Sequence, residues 1–132
     1  MNTKLLMSVS AVVLGVTGLC LSFFPEEISN HLGMTGASAI LLQVLGALYF
    51  GFAILNWTAK ANLIGGIYSK PVAVGNLAHF MIAALALIKL TVKDAGSLPY
   101  LWVATLIYVV FALLFGYVFF TSPALNNKPA KV

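Results

Sequence analysis

The sequence predicts an all-α fold: a four-helix transmembrane bundle, with the N-terminus and C-terminus both cytoplasmic. Three observations carry that expectation. Hydrophobic residues make up 61% of the 132-residue chain and charged residues only 8%, against about 25% charged in an ordinary soluble domain. Mean hydropathy is +1.03. A soluble fold of this length removes only roughly two-thirds of its unfolded surface from water, so this much apolar surface calls for lipid as the solvent. Finally, four apolar stretches approach or exceed the ~20 residues that a helix needs to cross the hydrocarbon core. They lie at about 5–24, 39–57, 72–92 and 99–120, in one integral membrane domain covering 1–132.

The first stretch, "LLMSVSAVVLGVTGLCLSFF", follows Lys4 and so has the look of a signal peptide. Its apolar run is long, and Phe23, Phe24, Pro25 and Glu26 at its end offer no small-residue cleavage pattern. We read it as a retained span. The loop after it, "PEEISNHLGMTG", opens with Pro25 and places Glu26 and Glu27 where a helix N-terminus favours negative charge; Gly33 can close it. A surface helix of one to two turns is expected there, with Ile28 and Leu32 turned to the bilayer or the bundle. His31 on this helix reads as a solvated histidine, because metal ligands come in clusters.

The second span, "AILLQVLGALYFGFAILNW", carries Gln43 and Asn56 as its polar residues, with Gly46, Ala47 and Phe50 in a stripe beside Gln43. Ala47 and Gly51 form a small-xxx-small pair of the kind that lets helices approach closely. The inner loop that follows, near 58–71, is apolar for an aqueous loop: Leu63, Ile64, Ile67 and Tyr68 accompany Gly65 and Gly66. Two readings stand. The loop rests on lipid headgroups with Lys60 and Lys70 near anionic lipid, or it serves a function, as a partial re-entrant lid over a cavity, which requires burial in protein or a wet cavity, or as a docking surface. Under both, Lys60, Gly65, Gly66, Tyr68 and Lys70 are the candidate headgroup or lid residues. "GGIYSK" lacks the spacing of a phosphate-cradling loop.

The third span, "VAVGNLAHFMIAALALIKLTV", carries Asn76 and His79 three residues apart, hence on one face. A short connection, "KDAGSLP", joins it to the fourth span as an antiparallel hairpin, with Ser97 and Pro99 suited to the next helix start. The tail "TSPALNNKPAKV" is polar and is expected to fray. With the N-terminus inside, Lys4, Lys60, Lys70, Lys128 and Lys131 lie inside and Lys89 and Lys93 outside, five against two, as the positive-inside rule requires. Trp57 and Tyr68 then mark the inner interface and Tyr100 and Trp102 the outer one. Asn56, Trp57 and Thr58 have the form of a glycosylation sequon, discounted because this topology places it inside.

Function classes narrow by exclusion. The chain has no Arg and its seven Lys are scattered, which is not the basic face that nucleic acid selects. One cysteine, Cys20, cannot make an internal disulfide or a two-cysteine redox pair. Two His without a Cys beside either argue against a metal or haem site. No acid lies within a span, so no Ser-His-Asp set is available. No catalytic residue is therefore assigned, and the expectation is a protein that is not an enzyme.

The polar residues within the spans suggest one seam between spans two and three, opening toward the inner loop. Its candidates are His79, Asn76, Tyr49, Gln43 and Asn56, with Tyr49 and His79 at similar depth by a rise of ~1.5 Å per residue. The seam reads first as inter-helix hydrogen bonding. It reads second as a pocket in which His79 and Tyr49 address a carbonyl or hydroxyl of a quinone or lipid. A proton or solute path is the third reading; it needs a chain of ionisable groups, and the sequence supplies His79 at that depth.

The layout of four spans in about 130 residues resembles the small DoxX-like four-helix membrane proteins of bacteria and their uncharacterised relatives. "PEEI" after the first span, "QVLGALYFGFAILNW" in the second and "KPVAVGNLAH" opening the third carry the likeness. The resemblance covers most of the chain and implies a bacterial inner-membrane location. It also raises the quinone reading, since some DoxX-type proteins are linked with quinone-coupled respiratory oxidation. It transfers no catalytic residue. The expected roles are, in order, a non-enzymatic accessory or scaffold subunit of a membrane assembly, a quinone- or lipid-binding protein, and an oligomeric small-solute transporter. The partners expected are the lipid bilayer and either another membrane protein or further copies of the chain.

Overall fold

The computed structural model describes residues 2–34, 38–61, 69–93 and 99–121. All the regular structure among them is helical: α1 (Thr3–Phe23), α2 (Pro25–His31), α3 (Ser38–Ala59), α4 (Lys70–Lys93) and α5 (Pro99–Phe120). α1, α3, α4 and α5 are each long and apolar enough to cross a membrane. At ~1.5 Å per residue their 21 to 24 residues reach about 32 to 36 Å, against a hydrocarbon core of ~30 Å. Helices able to cross are therefore found at the four expected positions, each extended by no more than two residues at an end or trimmed by as little. The chain divides into two compact units, Met1–Ala61 and Asn62–Val132, each built on one antiparallel helix pair.

Local chemistry sets the helix ends. Asn2 caps α1 by accepting from the Leu5 backbone N–H at 3.2 Å. α1 stops at Phe23 because Pro25 disfavours helical backbone in the residue before it, and the Phe24 N–H closes onto the Cys20 carbonyl at 2.9 Å. Pro25 then begins α2, with Glu26 and Glu27 in the first turn, charges that complement its dipole, and His31 in the last. Gly33, at φ +66°, turns the chain out of α2, and the Met34 N–H bonds the Ser29 carbonyl at 2.9 Å. The short surface helix expected after the first span is thus a two-turn helix; Ile28 on it is half-buried and Leu32 exposed. Pro71 sits in the first turn of α4 and Pro99 opens α5, the position where proline's missing N–H costs nothing.

In the first unit α1 packs along α3, with α2 against both. Met7, Ser10, Ala11, Leu14 and Gly18 form the buried face of α1, repeating every three to four residues, and meet Leu42, Gly46, Ala53 and Asn56 of α3. The two backbones touch where they cross. A Cβ on Gly18 would lie 2.7 Å from the Phe50 nitrogen and 2.8 Å from the Gly46 carbonyl oxygen; one on Gly46 would lie 2.8 Å from the Gly18 oxygen and 2.8 Å from the Ser22 nitrogen. Only glycine fits such an approach, which is how helices associate closely in lipid.

The second unit is joined by aromatic rings instead. Phe80 of α4, fully buried, stacks on Phe111 of α5 at 4.7 Å and on Phe115 at 5.6 Å between ring centroids, and meets Tyr108 edge-on at 5.5 Å. Offset and edge-on geometries at these separations suit the ring quadrupoles.

Candidate functional site

The candidate residues fall into both units, and each unit gives its own residues distinct surroundings. Asn56 lies on the buried face of α3 with no exposed surface, and its Nδ2 donates to Ser10 Oγ of α1 at 3.0 Å. The Ser10 hydroxyl donates onward to the Met7 carbonyl at 3.0 Å, so one hydroxyl serves as acceptor and donor together. Asn56, a candidate for the seam with the third span, and Gly46 in the stripe beside Gln43 both engage the first span within this unit. The reason is that α3 is apolar around its whole circumference, and the sequence pattern favoured no face for the contact. Gln43 is exposed and Tyr49 half-buried. Ala47 and Gly51, the expected small-residue pair, are both exposed, and a Cβ on Gly51 would meet nothing within 4 Å.

On α4, Asn76 is wholly buried and its Nδ2 donates to the Val72 carbonyl one turn earlier, at 2.9 Å. His79, one turn on, is half-buried with its Nε2 sequestered from solvent. Its ring lies 5.0 Å from Phe80 in an edge-on arrangement and 5.9 Å from Tyr108. Tyr108 is the residue that sequence reasoning missed. It lies within α5, in a stretch apolar on every side, and no spacing distinguishes it from Tyr100 or Tyr117. The geometry sets Tyr108 beside His79 and gives the pair an aromatic wall of Phe80 and Phe111.

Of the headgroup or lid candidates, Gly65, Gly66 and Tyr68 lie outside the described residues, as does most of the loop that holds them. Lys60 is half-buried just past the end of α3, and its Nζ sits 2.8 Å from the centroid of the Trp57 ring, a cation–π contact. Lys70 is exposed at the first position of α4. Among the described residues, no three His, Cys, Asp or Glu gather in a way that could hold a metal ion.

One open groove belongs to the first unit. It holds about 210 Å³ between α1 and α3, lined by Ala11, Val12, Gly15, Phe50, Ala53, Ile54 and Trp57. No family model, curated protein or solved structure matches the chain.

Proposed function

We propose that this small membrane protein is a non-enzymatic accessory or scaffold subunit of a membrane assembly. The reading sets it in the bacterial inner membrane with both termini cytoplasmic. The single observation behind it is how little of each span is buried. In the most apolar stretch of each span no more than 33% of residues are buried, and in α3 only 11%. Large side chains such as Leu41, Val44, Leu48, Ile54, Ile82, Leu85, Leu106 and Leu113 are exposed. The buried residues, in turn, are occupied in helix packing: a glycine crossing in one unit and an aromatic stack in the other. Each helix pair, taken by itself, thus joins a close-packed seam to wide apolar faces, which suits a protein whose contacts are made outward, to lipid and to other spans. The DoxX-like layout supports the bacterial setting.

The test is purification in mild detergent followed by native mass spectrometry. A membrane protein retained in fixed stoichiometry is the expected result. A protein that runs without a protein partner and releases a quinone on organic extraction would overturn it in favour of the second reading.

That second reading, a quinone- or lipid-binding protein, draws on His79 beside Tyr108 within an aromatic wall. Both side chains can donate or accept a hydrogen bond, which suits a carbonyl-bearing ring. His79→Ala should leave insertion and topology unchanged and abolish retention of the quinone if this reading holds.

A further inference from the structure

We propose that the α1/α3 groove seats one acyl chain of an anionic phospholipid, whose headgroup phosphate is held by Lys60 at the groove's end. The argument begins with size and chemistry. About 210 Å³ is below the ~300 Å³ at which compact small-molecule sites begin. The lining is apolar along its length, with small residues (Ala11, Gly15 and Ala53) on the floor and Val12, Phe50, Ile54 and Trp57 as walls. A narrow apolar trough open on one side accommodates a flexible alkyl chain and offers nothing to orient a polar ring.

Charge supplies the choice of headgroup. The helices run antiparallel, as the Ser10 to Asn56 bond and the Gly18 to Gly46 crossing require. Lys4, at the start of α1, and Lys60, just past the end of α3, therefore stand at the same end of the pair, and they are the unit's two lysines. Its two carboxylates, Glu26 and Glu27, are on α2 after the far end of α1. Trp57 closes the groove at the lysine end, and the Lys60 ammonium rests on that same ring. Groove and cation are thus continuous through one side chain. A zwitterionic lipid would find the same trough but less net attraction at its mouth. Lysines at a membrane surface favour anionic lipid by about five-fold each.

Trp57 makes the site directly observable, because bromine on a lipid chain quenches a tryptophan that it touches. The protein carries two tryptophans, so Trp102→Phe, at an exposed position of α5, leaves Trp57 as the sole reporter. The full-length variant is placed in phosphatidylcholine vesicles containing a small fraction of phosphatidylglycerol. Either lipid is brominated on the acyl carbons nearest the glycerol, and quenching is read against the unbrominated mixture. The expected result is a preference for phosphatidylglycerol of about five-fold per unit mole fraction, lost when Lys60→Gln is added. Val12→Phe, which fills the groove from its exposed wall, should weaken the preference with Lys60 still present. Equal quenching by the two lipids would overturn the proposal, showing an ordinary lipid shell. A preference unmoved by Lys60→Gln or by Val12→Phe would overturn it as well. So would quenching by both lipids that falls as the protein-to-lipid ratio rises, since a second copy of the chain would then occupy the groove.

Discussion

Asn56 shows how a polar side chain is tolerated inside a membrane helix pair. Its amide is fully buried and bonded to Ser10 Oγ, and Ser10 passes the chain of hydrogen bonds to its own helix at Met7. Such a bond is worth less in lipid than the cost of a bare amide in hydrocarbon suggests. The unfolded reference also finds partners, and measured inter-helix bonds average ~0.6 kcal/mol with a ceiling near 1.7 kcal/mol. Asn56→Ala should therefore lower the stability of the α1/α3 unit by about 1–2 kcal/mol, combining the lost bond with the space left behind. Ser10→Ala leaves almost no space behind but takes the acceptor from the fully buried Asn56 amide, so it should cost a comparable ~1–2 kcal/mol. A double-mutant cycle on Asn56 and Ser10, read by reversible unfolding in mixed micelles, should return a coupling of about 0.6 kcal/mol. A coupling of zero would mean that the two side chains do not share this bond in the membrane.

The elements were legible in the sequence to very different depths. Four helices, the short helix after the first span and several of their ends followed from apolar run length and from Pro25, Gly33 and Pro99, each of which acts through local backbone chemistry. Faces were harder to read. α3 bears small residues on two sides, Gly46 on one and Ala47 with Gly51 on another, and large apolar residues elsewhere. Nothing in its periodicity says which side meets a neighbour. The structure assigns the contact with α1 to Gly46, through Gly18, and leaves Gly51 in open space. Phe80, Phe111 and Phe115 were equally hidden among nine phenylalanines, since stacking joins side chains from separate helices. The glycine geometry makes a graded prediction. Gly46→Ala and Gly18→Ala each drive a methyl to within 3 Å of backbone atoms of the facing helix, so the crossing must open. Losses of about 1–3 kcal/mol are expected, as for overpacking in general. Gly51→Ala meets nothing, and Gly15→Ala meets Ala53 Cβ at 3.5 Å, an ordinary contact. These two should be neutral or stabilise by up to ~1 kcal/mol, because alanine restricts the unfolded helix. Thermal unfolding of the four variants ranks them directly. A Gly46→Ala protein as stable as Gly51→Ala would show that α1 and α3 do not cross at this point.

At the scale of the whole chain, lysine placement predicts how the protein sits in its membrane. The first helix pair carries Lys4 and Lys60 at one end. Along α4, Lys70 stands at the start and Lys89 and Lys93 near the close. Taken by itself the α4/α5 stretch would lean toward the opposite orientation, one lysine against two. Lys128 and Lys131 in the tail reverse that balance, and the total of five against two follows. Charge near span ends sets orientation, so both termini are predicted to be cytoplasmic. Labelling of single cysteines with a membrane-impermeant maleimide tests this, after Cys20→Ala removes the native thiol. Lys60→Cys should react in inverted vesicles and not in intact cells, and Lys93→Cys should show the reverse. Neither substitution alters the sign of the bias: Lys60→Cys leaves four lysines inside against two outside, and Lys93→Cys leaves five against one. Reaction of Lys60→Cys from the cell exterior would invert the topology. It would also bring Asn56 of the discounted sequon to the outer face and move the lysine end of the groove to the outer leaflet. Protection of Lys60→Cys in both preparations would instead mean that its position is held within the membrane or beneath the loop that follows.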